Sequence, residues 1–234
     1  VKVGVIGMGR IGLVHLEAIT KAPGVVPVIV SNPTVSKAEA AASQYNIPKF
    51  TDDAMDVIND PEVDAVWICS PSQFHADQIK ACATAKKHVF CEKPPALNAA
   101  EVAEMKDVAE NQSKVLMFDF NNRARPESYA LMDYINSGDV GMINSAQAKW
   151  IRRTGIPGFG GWFTNKKLSG GGPVIDLLHM LDLALFYMGY PDPQHVLAQT
   201  FNDFIENKSF KGPRGIPDVA DGVTDVESPA HGFI

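Results

Sequence analysis

A short apolar segment that runs directly into a glycine-rich turn is the feature that most constrains this chain. Residues 1–6 are predicted to form a β-strand, and Gly7, Gly9 and Gly12 follow in the pattern Gly-x-Gly-x-x-Gly before a helical stretch that continues to about residue 21. This strand–turn–helix context is the one that dinucleotide binding requires. The first glycine permits a tight turn, the second lets the backbone approach a diphosphate, and the third allows close helix–strand packing. The N–H groups at the helix N-terminus then attract phosphate.

Apolar segments continue to alternate with helical ones as far as residue 119. The predicted strands lie at residues 25–30, 63–69, 87–91 and 114–118, and the predicted helices at residues 36–45, 73–83 and 99–110. Strands that are apolar on both faces and alternate with helices of this length form parallel sheets covered on both sides. Residues 1–119 are therefore predicted to be an α/β domain, a doubly wound Rossmann sheet that binds NAD or NADP.

The pattern changes after residue 119. Helices are predicted at residues 125–136 and 174–188, strands at residues 143–151, 195–201 and 223–234, and a loop rich in glycine and aromatic residues at residues 155–172. Few strands with one polar face indicate a mixed or antiparallel sheet with a helix packed on it. Residues 120–234 are predicted to be an α+β domain for substrate binding and oligomerisation. We expect this domain to be incomplete, because its last predicted strand reaches Ile234 without a turn.

The net charge and the cysteines limit which partners and which cellular compartment the sequence favours. The net charge is −6, and no block of Lys or Arg stands out, so the sequence favours neither a nucleic acid nor an anionic membrane as partner. Cys69, Cys82 and Cys91 lack the spacing of metal ligands and read as reduced thiols, which predicts a cytoplasmic protein without a metal site. No apolar run is long enough to cross a bilayer.

The sequence leaves the choice between NAD and NADP open. An NAD enzyme usually places an acidic residue about twenty residues beyond the glycine turn, where it binds the ribose 2′-hydroxyl. This chain has Ser31 and Asn32 there, and the nearest following cation is Lys37. Asn32 can hydrogen-bond a hydroxyl, yet it carries no charge to repel a 2′-phosphate.

Several further motifs, in order along nearly the whole chain, give the sequence a resemblance to a known family. They are Asp64–Pro71 with His75, Cys91-Glu92-Lys93-Pro94 after a predicted strand, Asn121-Asn122-Arg123, Gly161-Trp162-Phe163 and Ser169–Asp182. In this order they resemble the Gfo/Idh/MocA family of glucose–fructose oxidoreductases and inositol dehydrogenases. The resemblance implies an NAD(P)-dependent dehydrogenase or reductase that moves a hydride to or from a sugar, inositol or related polyol.

The resemblance also implies a role for each matching residue. Lys93 would lie by the nicotinamide and the reacting hydroxyl, Pro94 would follow a cis peptide bond, and Asp176 and His179 would complete the catalytic group from the second domain. The cofactor-binding set would comprise Gly7, Gly9, Arg10, Ile11, Gly12, Asn32, Ser70, Pro71, His75, Glu92 and Lys93. Asn121, Arg123 and Trp162 would bind substrate.

Apart from the resemblance, the types of these residues suit the oxidation of an alcohol. Oxidation of an alcohol requires a base for the hydroxyl proton while the hydride leaves carbon. His179 has a suitable intrinsic pKa, and Asp176 could orient its imidazole or the substrate hydroxyl. Each of these residues also has a purely structural alternative. Lys93 could be a solvated residue after a strand, and His75 could cap a helix. Asp176 and His179 could be a hydrogen-bonded pair in the core.

The chain departs from the family pattern in ways that keep other functions open. Asp176 and His179 are three residues apart where the family usually has four, and Asp119 stands where a glycine is usual. A protein that senses NAD(P) without chemistry is therefore one alternative, and an NAD-dependent glycoside hydrolase is another. The resemblance further implies a homo-oligomer, a dimer or tetramer, that associates through the C-terminal sheet.

Overall fold

The computed structural model describes residues 1–110, 113–151, 159–172, 174–203 and 219–234. The chain divides into two compact units, Val1–Asp119 and Phe120–Ile234. No helix among the described residues is both long and apolar enough to span a membrane.

The first unit is built on a six-stranded sheet. Its strands are β1 (Lys2–Ile6), β2 (Val26–Ser31), β3 (Lys49–Thr51), β4 (Ala65–Ile68), β5 (His88–Cys91) and β6 (Leu116–Phe118). They pair in the order β3-β2-β1-β4-β5-β6, and every pair is parallel. This is the strand order of a Rossmann fold, in which the direction of winding reverses between β1 and β4. Ligands bind such sheets at the carboxyl ends of the strands near that reversal.

Five helices connect these strands and cover the sheet. They are α1 (Arg10–Lys21), α2 (Val35–Tyr45), α3 (Ala54–Asn59), α4 (His75–Thr84) and α5 (Ala99–Glu110). Two apolar clusters follow from this arrangement, one around Val3, Leu16 and Val30 and the other around Ile58 and Ile68, all of them essentially inaccessible to solvent. The sheet is thus buried on both faces, which explains why its strands are continuously apolar in sequence.

The second unit contains three helices and two strands among its described residues. The helices are α6 (Pro126–Asn136), α7 (Lys166–Ser169) and α8 (Val174–Tyr187), and the strands are β7 (Leu197–Thr200) and β8 (Ala230–Phe233). β7 and β8 pair antiparallel. The six-stranded parallel core and this small antiparallel sheet confirm the predicted fold class.

Several predicted elements differ from the observed ones. The strand predicted at residues 143–151 is wrong, because this segment is irregular in the structure and pairs with no strand among the described residues. The strand predicted at residues 223–234 is confined to β8, and residues 155–158 of the predicted loop lie outside the described residues. The short elements β3 and α3 were not predicted, since three to six residues carry little periodicity.

Candidate dinucleotide site

The glycine turn after β1 is packed against the backbone of its neighbours. Gly7 has a φ of +96° and donates its N–H to the carbonyl oxygen of Ser31 (2.8 Å). A Cβ at Gly7 would lie 2.7 Å from the carbonyl oxygen of Cys69, and a Cβ at Gly12 would overlap the carbonyl oxygen of Gly7. Both positions therefore require glycine for the fold itself, as the motif predicts.

Gly9 is glycine for a different reason. A Cβ built at Gly9 would meet no protein atom within 4 Å, so the space beside it is open. Gly9 is also the N-cap of α1, where no side chain caps the helix and no acidic residue lies in the first turn. Arg10 and Ile11 are exposed at the same end. An open approach to uncapped helical N–H groups fits a diphosphate, because these groups and the helix dipole attract anions.

Asn32 follows β2 at the same edge of the sheet and holds the glycine turn. Its Oδ1 accepts a hydrogen bond from the N–H of Met8 (3.1 Å), and its Nδ2 donates to the carbonyl oxygen of Thr34 (3.1 Å). A carboxamide can form more hydrogen bonds than these two, so Asn32 retains capacity for a ribose hydroxyl. The sequence analysis did not predict that Asn32 also fixes the turn.

His75 joins two loops of the predicted cofactor site. Its ring is buried, with Nδ1 2.8 Å from the carbonyl oxygen of Pro94 and Nε2 2.9 Å from the carbonyl oxygen of Ser70. Burial lowers the pKa of His75 and so favours the neutral ring, which donates to one of these two carbonyls at a time. The Ser70 hydroxyl donates to Oε1 of Gln78 (2.7 Å), and the Lys93–Pro94 bond is cis, as the resemblance implies.

Glu92 and Lys93 follow β5 at this edge. Glu92 is buried, and its Oε2 accepts a hydrogen bond from the N–H of Lys93 (3.0 Å). Its other oxygen lies 2.8 Å from Nε2 of His15, and Asp119, directly after β6, lies beside the same imidazole. The sequence analysis assigned no role to His15 or Asp119. Their positions in the sequence could have indicated this site, because His15 is one helical turn beyond Gly12 and Asp119 directly follows a strand at the edge of the sheet where ligands bind.

The predicted residues of the second unit lie on α8 and on two short 3₁₀ helices. Asp176 and His179 are three residues apart on this helix and therefore share a face, and the His179 ring lies 6.2 Å from that of Trp150. Trp162 begins a short 3₁₀ helix and is 40% exposed. Asn121 begins another such helix that also contains Arg123. The catalytic and substrate-binding roles of these residues stay predictions.

Arg123 has a structural partner that the sequence analysis missed. Its Nε donates to Oδ2 of Asp182 (2.7 Å) and its Nη2 to Oδ1 of the same carboxylate. The guanidinium also lies 5.2–5.4 Å from the ring centroids of Phe120, Phe186 and Tyr190. This bidentate ion pair within three aromatic rings ties the segment before α6 to α8.

The fold and the glycine turn define a Rossmann-type dinucleotide-binding unit. The family model GFO/IDH/MocA, described as "Oxidoreductase family, NAD-binding Rossmann fold", matches residues 1–120, and the GFO/IDH/MocA C-terminal domain model matches residues 129–234. The chain belongs to the Gfo/Idh/MocA oxidoreductase family.

Comparison with individual proteins agrees with this assignment. The chain is 36% identical over 210 residues to D-glucoside 3-dehydrogenase of Escherichia coli K12, covering 89% of this chain and 60% of that protein. It is 34% identical over 140 residues to myo-inositol 2-dehydrogenase of Thermotoga maritima, covering 60% of this chain and 42% of that protein. A structure of levoglucosan dehydrogenase in complex with NADH and levoglucosan matches with a TM-score of 0.80 at 25% identity, covering 99% of this chain and 62% of that one. The chain thus spans less than two thirds of the length of these relatives.

Proposed function

We propose that the protein is an NAD-dependent dehydrogenase that oxidises a hydroxyl group of a sugar, a glycoside or an inositol. The observation that carries this proposal is the open, uncapped helix N-terminus at Gly9, at the same sheet edge as the Glu92-Lys93-Pro94 turn. The names of the relatives, which are glucoside, inositol and levoglucosan dehydrogenases, support the substrate class.

The cofactor assignment rests on the chain's own residues. Main-chain N–H groups of the turn and the first turn of α1, including Arg10 and Ile11, would hold the diphosphate, and Asn32 would bond a ribose hydroxyl. Ser70, Pro71 and Glu92 would border the ribose and nicotinamide, with His75 holding their loops together. A bound nicotinamide would accept the hydride from the carbinol carbon.

Three side chains would manage the proton that the hydroxyl loses. We assign Lys93 to a hydrogen bond with the reacting oxygen, His179 to acceptance of the proton, and Asp176 to orientation of His179 or the hydroxyl. Asn121, Arg123 and Trp162 would contact the rest of the substrate. Lys93 belongs to the first unit and the other residues to the second, and their joint action stays a prediction.

Two single-residue variants separate binding from chemistry. Gly9→Ala should keep the melting temperature of the wild type but lose dinucleotide binding, because its methyl group occupies ligand space and meets no protein atom. Lys93→Ala should keep binding and lose turnover by at least roughly a hundredfold. Lys106→Ala, which removes an exposed lysine from α5, is the matched control. Wild-type turnover in Lys93→Ala would contradict the assignment.

A substrate panel tests the function against its alternatives. Reduction of NAD would be followed with glucosides, free sugars and inositols, and the same panel would be repeated with NADP, because the neutral Asn32 does not repel a 2′-phosphate. Tight NAD binding without turnover on any member would favour a sensor. Release of a free sugar from a glycoside without net reduction of NAD would favour a glycoside hydrolase.

The proposal extends to assembly and location. Leu197 on β7 and Phe233 on β8 are 71% and 78% exposed, which is consistent with a sheet that associates with a second copy as a dimer or tetramer. The cysteines are buried and unpaired, which is consistent with the cytoplasm. Light scattering coupled to size exclusion would test the assembly, and a monomeric mass would contradict it.

A further inference from the structure

Three ionisable side chains, from α1 and from the residues directly after β5 and β6, converge at the carboxyl edge of the sheet. The resemblance assigns no role to two of them, His15 and Asp119. Nε2 of His15, on α1, lies 2.8 Å from Oε1 of Glu92 and 3.5 Å from Oδ2 of Asp119. The side chains of His15, Glu92 and Asp119 are 15%, 9% and 11% exposed. Buried charges at these distances interact far more strongly than the exposed ion pairs elsewhere in this unit, because water screens them less.

The backbone fixes this cluster on three elements. The N–H of Glu92 donates to the carbonyl oxygen of Ile68 (2.9 Å), and the N–H of Asp119 donates to the carbonyl oxygen of Cys91 (2.8 Å). The backbone of both residues therefore continues the hydrogen bonding of the sheet one residue beyond β5 and β6. Glu92 then uses its two oxygens differently. Oε1 contacts His15, and Oε2 accepts the hydrogen bond from the N–H of Lys93. Glu92 therefore links the cluster directly to the main chain of Lys93.

The two carboxyl groups differ in proton affinity. Burial and the adjacent charge of Glu92 raise the pKa of Asp119 to about 6, against the opposing charges of His15 and Lys93. Burial would raise the pKa of Glu92 as well, but its hydrogen bond to His15, the charge of that ring and the N–H of Lys93 lower it instead. As the pH falls, Asp119 is thus the carboxyl group of the two that takes up a proton first.

The two neighbouring carboxyl groups favour the cationic form of His15. Burial alone would lower the pKa of His15, but the hydrogen bond and charge of Glu92, together with the charge of Asp119, raise it above its ordinary value. The other ionisable groups of the described residues that interact with this cluster are Cys69 after β4, His75 at the start of α4, Cys91 at the end of β5 and Lys93 directly beyond it.

We propose that Asp119 is a positioning residue for Lys93: it shares the imidazolium of His15 with Glu92, and this arrangement keeps the Glu92 carboxylate on the N–H of Lys93. The relevance of Lys93 rests on the proposed function, whereas the cluster itself does not. When Asp119 takes up a proton, its hydroxyl becomes a hydrogen-bond donor to Glu92 and one of the two anions around His15 is lost. Turnover should therefore acquire an acidic limb set by Asp119.

The experiment is an NMR titration of the full chain labelled at histidine, comparing wild type with Asp119→Asn. Asparagine keeps the shape of aspartate and removes its charge, so the His15 ring should titrate at lower pH in the variant than in the wild type. Asp77→Asn, which removes a carboxylate that is 87% exposed on α4, is the matched control and should leave the His15 titration unchanged. Coincident titrations of His15 in wild type and Asp119→Asn would overturn the proposal.

The wild type alone gives a second test that does not depend on folding of the variant. The carboxyl carbon of Asp119, observed with labelled aspartate, should titrate near pH 6 rather than near the ordinary value of 3.8. An Asp119 carboxyl that titrates near 3.8 would overturn the proposal.

Kinetics then test the link to Lys93. Asp119→Asn should lower kcat roughly tenfold, with a much smaller change in KM for NAD, because the variant misplaces a reacting group and leaves the diphosphate site intact. The acidic limb of kcat should disappear in the variant; a limb identical in both proteins would overturn the positioning role. Should the substrate panel give no turnover, the two NMR titrations still decide whether the cluster exists, so the two proposals fail separately.

Discussion

The two units are nearly equal in length, yet they bury their apolar residues very differently. In Val1–Asp119 the strands and the inner faces of the helices form two clusters that exclude solvent almost completely. In the described part of Phe120–Ile234 the buried apolar residues are Phe163, Ile175 and Val226. The helix α8 is apolar along most of its length, but apart from Ile175 its described residues are partly exposed. The first unit thus has an extensive buried apolar core, whereas the described part of the second buries few apolar side chains and includes the bidentate pair of Arg123 with Asp182.

This difference predicts that steric changes act most strongly in the first unit. Gly12→Val should lower the free energy of unfolding by about 4 kcal/mol, because any Cβ there overlaps the carbonyl oxygen of Gly7. Gly189→Ala, in the second unit, should cost only about 1 kcal/mol: Gly189 has a φ of +75° but no neighbour within 4 Å of a built Cβ. Urea unfolding followed by circular dichroism would measure both, and equal losses would contradict the comparison.

Truncation of leucine tests the same contrast in packing. Leu16 on α1 is fully buried, so Leu16→Ala should destabilise the protein by about 3 kcal/mol through lost burial and a cavity. Leu197 on β7 is 71% exposed, and Leu197→Ala should change the free energy by less than about 0.5 kcal/mol. A loss of stability in the Leu197 variant equal to that in the Leu16 variant would contradict the comparison.

The second unit should instead be sensitive at its ion pair. Arg123→Lys keeps the charge but loses the bidentate contact with Asp182 and the planar contact with three rings, and should cost about 1 kcal/mol. In the first unit, Lys2→Met removes an ion pair with Glu62 whose partners are both about half exposed, and no measurable change is expected. Thermal unfolding of both variants checks this, and a larger loss in Lys2→Met would reverse the ranking.

The effect of removing His15 should depend on pH. The pKa of His15 is raised in the folded state, so protonation of this ring stabilises the fold. That contribution is complete below the ordinary pKa of 6.5 and is lost as the pH rises through the raised value. His15→Gln should therefore destabilise the protein more at pH 5.5 than at pH 9, by about 1 kcal/mol. A difference that is equal at both pH values would mean that the ring is not protonated in the fold.

Sequence patterns predicted the first unit better than the second for a physical reason. Strands buried on both faces, such as β1 and β4, carry a continuous apolar signal, and the close approach of Gly12 to Gly7 involves residues only five apart in sequence. Residues 143–151 alternate like a strand but pair with none of the strands that the structure describes, and pairing cannot be inferred from local periodicity alone.

The same limit applies to the site. The motif located Gly7, Gly9 and Gly12, because their spacing after a strand is a pattern within twelve consecutive residues. The contacts of His15 with Asp119 and of Arg123 with Asp182 join residues far apart in sequence, so only the fold reveals them. Asp119 stood out in sequence solely as a departure from the family pattern.

Titration calorimetry of the full chain with NAD tests the central claim most directly. The account predicts saturable heat for the wild type and none for Gly9→Ala, with both proteins giving the same melting temperature in the absence of ligand. Folded wild-type protein that gives no heat with either NAD or NADP would contradict it.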